Sequence, residues 1–151
     1  MGAAYFYHLT ERPLEATLPV LLGKALQAGW RVEVRGTDMA MLERLDAHLW
    51  QGDGFLPHGM AGGPHDAEQP VLLTTGAGGN DATCVMSVDG AEVSVEEVGA
   101  LQRACVLFNA ADAAAVETAR GQWRRLTEAG VAAQYWAEEG GRWVKKAESG
   151  T

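Results

Sequence analysis

Arginine and tryptophan lie close together in TARGQWRRLTEAG, and that stretch carries the most chemistry in the sequence. Arg120 precedes Trp123 by three residues and Arg124 by four, so a helix here presents all three on one face. Guanidinium groups beside an indole edge form a receptor for a carboxylate attached to an apolar group. The same segment also has the spacing of a core stripe, through Val116, Ala119, Trp123 and Leu126. Arg124 could equally pair with Glu128 on a solvated face, so the residues alone leave both readings open. Half of the 12 Lys and Arg residues fall in this last part of the chain: Arg120, Arg124, Arg125, Arg142, Lys145 and Lys146. In a protein of formal net charge −8 that is a local reversal of sign.

The stretch LDAHLWQGDGFLPHGMAG is the second candidate. Trp50 ends a helix-like run, and Phe55, Pro57 and His58 follow on a glycine-rich loop spanning 51–69. Two large aromatics on such a loop could anchor a partner or close over the core. His58 could act as a general base, but neither a nucleophile nor an orienting carboxylate is evident beside it. A histidine bonded to backbone, holding the loop, is the favoured reading. The four histidines have no metal-ligand spacing, so no metal is expected. The run GAGG, 76–79, follows a strand, yet a second strand rather than a helix comes next and no Lys-Ser/Thr follows. It is therefore read as a flexible connection and not a phosphate loop.

These residues need a scaffold, and hydrophobic periodicity supplies one. AYFYHL, RVEVRG, PVLLTT, ATCVMSV and ACVLFN read as strands. Leu14 to Leu26 recur at helical spacing, with Pro13 opening the helix and Pro19 expected to kink or restart it. A second helix runs from a Thr37 or Asp38 cap to Trp50, and a short third covers about 93–103. A fourth extends from an Asp112 cap to about Glu128 and is stopped by Gly130. AAQYWA and RWVKK form a terminal hairpin across Gly140 and Gly141. Alternating helices and continuous apolar strands predict an α/β sandwich with a largely parallel central sheet. We expect one domain over 1–146 and a flexible tail at 147–151.

Composition narrows the function classes. A chain of 151 residues that is 47% apolar can bury a core. Its acidity opposes strong direct binding to nucleic acid, which needs a clustered basic surface. Cys84 and Cys105 sit in apolar runs and read as buried free thiols. No apolar run is long enough to span a bilayer. The opening MGAAYFYHLTERP lacks a basic-then-apolar leader, and Phe6 stands where a myristoylation motif needs Ser or Thr. A cytoplasmic protein without cofactor or membrane partner is expected.

At this point the opening stretch resembles a known family, the chi subunit of bacterial DNA polymerase III holoenzyme, a clamp-loader accessory protein. The family pattern is a Leu-Asp helix ending in Leu-Trp, then Phe-x-Pro-His, then a Pro-led strand. Here it stands as Leu45-Asp46, Leu49-Trp50, Phe55-Leu56-Pro57-His58 and Pro70-Val71. AYFYHL, GWRVEV and the late Arg-x-x-Trp-Arg helix follow in the family's order, so the resemblance covers nearly the whole chain. It implies a three-layer sandwich of nucleotide-binding-like topology without a phosphate loop, and an adaptor without intrinsic enzymatic activity. It also implies docking of the psi subunit at Trp50 and Phe55, with Asn109 at a third position that is apolar in the family. Arg120, Trp123 and Arg124 would take the acidic, Phe-terminated C-terminal tail of single-stranded-DNA-binding protein, with Val116 where a further basic residue is expected. Pro57 and His58 would structure the loop. The competing reading is a small nucleotide-binding protein or hydrolase that uses the 51–69 loop and His58.

Overall fold

The computed structural model describes residues 2–51, 57–76 and 79–149. In chain order the elements are β1 (Ala3–Leu9), α1 (Leu14–Gln27), β2 (Val32–Arg35), α2 (Met39–Trp50), β3 (Gly59–Met60) and β4 (Val71–Thr74). They continue with β5 (Cys84–Ser87), α3 (Val95–Ala100), β6 (Arg103–Asn109), α4 (Ala113–Glu128), β7 (Ala132–Glu139) and β8 (Arg142–Ser149). The strands form one sheet in the order β3-β4-β2-β5-β6-β1-β7-β8. Every pairing is parallel except β7 with β8.

Strand alternation divides the core into two layers. Leu18 and Leu22 of α1 and Leu42, Leu45 and Leu49 of α2 bury against Val32, Val34, Leu73, Met86 and Leu107 on one face. Val98 of α3 and Ala119 and Leu126 of α4 bury against Ala4, Phe6, Val85, Val106 and Phe108 on the other. The result is the three-layer α/β sandwich expected from the sequence, with its C-terminal hairpin. Capping explains the helix boundaries. Asp38 accepts from Ala40 N, and Asp112 accepts from Ala114 N and Ala115 N. Gly29 and Gly130, at φ +84° and +85°, end α1 and α4 in the left-handed conformation. In both cases the next residue's N–H reaches back to the helix, Trp30 to Ala25 and Val131 to Leu126.

Several boundaries differ from expectation. Helix α1 runs through Pro19 without restarting, because a proline in the second turn removes only one backbone donor. Helix α3 is shorter than expected at 95–100; it starts at Ser94, which forms a reciprocal capping box with Glu97. The 51–69 loop contains β3 and a 3-10 turn at Asp66–Glu68. A two-residue strand has no periodicity to read. Strand β8 reaches Ser149, three residues past the expected end of RWVKK, through pairing with β7. Cys84 and Cys105 are buried and free, as expected.

Candidate functional site

Helix α4 packs on β6, β7 and β1 and carries the arginine–tryptophan cluster. Trp123 is half-buried. It meets Phe6 edge-on at 5.3 Å and Tyr135 at 5.8 Å. Trp123 thus joins the core through Phe6 and Tyr135 while staying partly exposed. Tyr135 continues into His8, with its hydroxyl 3.2 Å from His8 Nδ1. His8 in turn stacks on Phe108 at 4.9 Å. The aromatic platform is thus Trp123, Tyr135, His8 and Phe108.

Arg120 and Arg124 are exposed on the same helix. Arg124 makes a loose contact with Glu117 at 3.8 Å, between side chains 61% and 70% exposed. Its partner lies two helical turns before it, not one turn after it at the Glu128 considered from sequence. Arg120 has no ion pair or hydrogen bond among the described residues. Its charge is nevertheless felt by the platform. His8 is held below its ordinary pKa, first by burial and then by Arg120. Burial raises Tyr135, and Arg120 opposes that rise. A cation beside a neutral imidazole and a neutral phenol leaves a local excess of positive charge at the platform. Val116 packs against the core on this helix and offers no charge. Arg125 pairs with Glu92 at 3.3 Å, Lys145 with Glu148 at 3.2 Å, and Lys146 with Glu139. Among the described residues, Arg120 and Arg142 are the members of the basic stretch left without an acidic partner.

Sequence reasoning did not find His8, Phe108 and Tyr135. Phe6 and His8 are two apart on β1 and must share a face, which was legible. Their meeting with Tyr135 depends on the parallel β1–β7 register, which pairs Phe6 with Tyr135 and His8 with Ala137. No local signal encodes that register.

The second candidate lies at the other end of the molecule's chemistry. Trp50 is 56% exposed at the end of α2. Its ring is 4.3 Å from that of His58. The His58 side chain is fully buried, with Nε2 3.1 Å from Asp46 Oδ1 and 3.3 Å from Asp46 O. With the proton on Nε2, His58 donates to α2 and tethers the returning chain to it. Pro57 precedes it, half-buried. Phe55 falls outside the described residues. Asn109 is exposed, and its Oδ1 accepts from Ala111 N as the chain turns into α4.

Open parallel sheets bind nucleotides outside the carboxyl ends of strands where successive crossovers diverge. Two such crevices exist here, and neither suits a phosphate. Between β2 and β5, Arg35 is committed to Glu33 Oε2 at 2.7 Å, to both oxygens of Glu97 at 2.7 and 3.0 Å, and to Glu92 O at 3.0 Å. Between β1 and β6, the crevice is lined by Glu15, Asp89 and Asp112. Among the described residues no group of three or more His, Cys, Asp or Glu is arranged to hold a metal ion, and no helix is long and apolar enough to cross a membrane.

Comparison with known proteins agrees with the sequence motifs. No curated protein matches the chain. Residues 1–134 match the family model described as DNA polymerase III chi subunit, HolC. That span carries every element from β1 to the first residues of β7, including Trp50, His58 and the Arg120–Arg124 helix. The chain belongs to the chi-subunit family of DNA polymerase III, and so to the DNA-replication machinery.

Proposed function

We propose that the protein is a non-catalytic adaptor that captures the acidic C-terminal tail of single-stranded-DNA-binding protein on α4 and docks the psi subunit of the clamp loader at Trp50. The observation that carries the tail site is Arg120, an uncommitted cation on the same helix face as Trp123. The tail's terminal carboxylate and Asp side chains would meet Arg120 and Arg124 in charge-assisted hydrogen bonds. Its phenyl ring would pack on Trp123, which already offers an edge-to-face aromatic environment through Phe6 and Tyr135. A short tail with few contacts should bind with micromolar affinity, about −8 kcal/mol. A fluorescent acidic peptide ending in Phe, titrated by polarisation, tests this. Saturable binding that weakens with salt and is lost when the peptide's C-terminus is amidated is the expected result. Equal binding by the amidated peptide would sink carboxylate capture.

Trp50 supports the docking half of the reading. The exposure of this tryptophan at a helix end, beside the ring of the buried His58, supports its use as an interface anchor. Trp50→Ala should weaken co-elution with the psi subunit by about tenfold or more, on the scale of one hot-spot residue. It should leave tail binding unchanged. Undiminished co-elution would remove Trp50 from the interface. Phe55 is assigned to the same interface by the family resemblance alone. Pro57 and His58 serve it indirectly, because the bond from His58 to Asp46 fixes where the chain returns after Trp50.

A further inference from the structure

Helix α1 packs against β2 and β6, but the chain leaves β7 by a tight turn into β8 instead of a helical crossover. On that face of the sheet a cleft of about 330 Å³ opens between α1 and the hairpin. Tyr5, Tyr7, Trp30, Trp136 and Trp143 line it, together with Val20, which is 51% exposed. Tyr7 and Trp143 meet edge-to-face at 5.3 Å. Three cations also line the cleft, Arg12, Lys24 and Arg103, and no Asp or Glu does. For a protein of net charge −8 that is a marked local excess of positive charge.

The cations are not equivalent. Arg12 is engaged by Glu138 at 3.8 Å. Lys24 makes no ion pair or hydrogen bond among the described residues. Arg103 stacks over Tyr5 at 4.0 Å and lies 5.1 Å from the ring of Trp30, with only a long 3.5 Å contact to the Tyr5 hydroxyl. Its Nε is buried without a hydrogen-bond partner among the described residues. A buried, charged donor left open costs free energy unless an acceptor arrives. Burial raises the Tyr7 hydroxyl well above its ordinary pKa, and the hydrogen bond with Cys84, then burial, raises the thiol of Cys105, so neither contributes a negative charge that would oppose an anion.

We infer that this cleft binds a small planar aromatic anion, its ring against Tyr7, Trp143 and Val20 and its phosphate or carboxylate toward Arg103 and Lys24. Concave, mainly apolar walls with a few convergent polar groups are the usual form of a small-molecule site. Trp136 and Trp143 lie beyond residues 1–134, the span that matches the family, whereas Tyr5, Tyr7 and Trp30 lie within it. The site is separate from α4, which packs on the opposite face of the sheet. Its failure or success therefore leaves the tail reading untouched.

The chain's five tryptophans give a direct assay, because three of them line the cleft. Indole N–H resonances of the full-length protein, assigned by replacing each Trp with Phe in turn, would be followed during titration with adenosine 5′-monophosphate and with indole-3-acetate. Neutral adenosine and indole serve as controls. The expected result is saturable shifts of Trp30, Trp136 and Trp143 with one or both anions, while Trp50 and Trp123 stay still. Which anion binds identifies the source as nucleotide or aromatic carboxylate. Arg103→Gln and Lys24→Gln should each weaken binding at least fivefold. Lys24 is exposed on α1, so its replacement does not disturb the core. No shift at millimolar anion overturns the inference. So does equal response to the neutral controls, movement of Trp123 alone, or undiminished binding by Lys24→Gln together with Arg103→Gln.

Discussion

Replacing Arg35 with methionine is expected to destabilise the fold by about 3–5 kcal/mol, a large part of the 5–15 kcal/mol typical of a domain. Arg35 is 8% exposed and Glu33, on the same strand, 6%. Removing the guanidinium takes the cation away from a buried carboxylate that it contacts at 2.7 Å. It also strips Glu97 of a bidentate partner at the start of α3. Replacing Glu33 with leucine as well should recover much of the loss, since an apolar pair carries no desolvation cost. Urea unfolding of both variants measures this; a single-variant loss under 1 kcal/mol would show that the network is incidental. Acid gives an independent check. The hydrogen bonds from Arg35 hold the Glu97 carboxyl at about 2, against an ordinary 4.5. A depressed carboxyl stabilises the fold above the unfolded value and loses that contribution as pH falls from about 4.5 toward 2. Glu97 is 39% exposed, so solvent screens part of the effect. Arg35→Met should flatten the stability profile in that acid window.

The same network separates what the sequence made legible from what it hid. RVEVRG was readable as a strand because its valines alternate, and Val32 and Val34 do face the α1 and α2 layer. Alternation also implied that Glu33 and Arg35 share the other face, but not that this face would be buried. Their burial depends on Glu97 arriving from a helix more than sixty residues away. The capping box at Ser94 and Glu97 was a local signal for that helix. Helix caps, glycine stops and the largely parallel character of the sheet were legible because they are set by neighbours or by repeated patterns. The aromatic platform of His8, Phe108 and Tyr135 was not, because three distant segments meet there only through sheet register. The cleft beside α1 was hidden for the same reason. Tyr5, Tyr7 and Trp143 look like ordinary strand aromatics until the hairpin leaves their face uncovered.

Charge reversal at Arg120 should have the largest effect on function. Arg120→Glu is expected to weaken the acidic peptide by roughly tenfold to over a hundredfold, the equivalent of about 1.5–3 kcal/mol for losing a hydrogen bond to a charged group. Arg124→Glu should cost less, because Arg124 already shares its charge with Glu117. Both side chains are exposed, so thermal stability should barely change, and a loss of binding reads as lost recognition. Protonation of His8 adds a second handle on the same contact. Burial and Arg120 keep this imidazole below its ordinary pKa in the free protein. A bound carboxylate nearby favours the charged form and pulls the pKa upward. By linkage, the tail should then bind more tightly as pH falls from about 7.5 to 6, while its own carboxylates stay ionised. His8→Gln should remove that pH dependence while keeping a polar group beside Tyr135. Arg120→Glu should invert the electrostatic cause, raising the His8 pKa in the free protein. A tail affinity indifferent to Arg120, to Arg124 and to this pH range would mean that α4 presents its arginines to water alone. The family's role would then rest on the surface around Trp50.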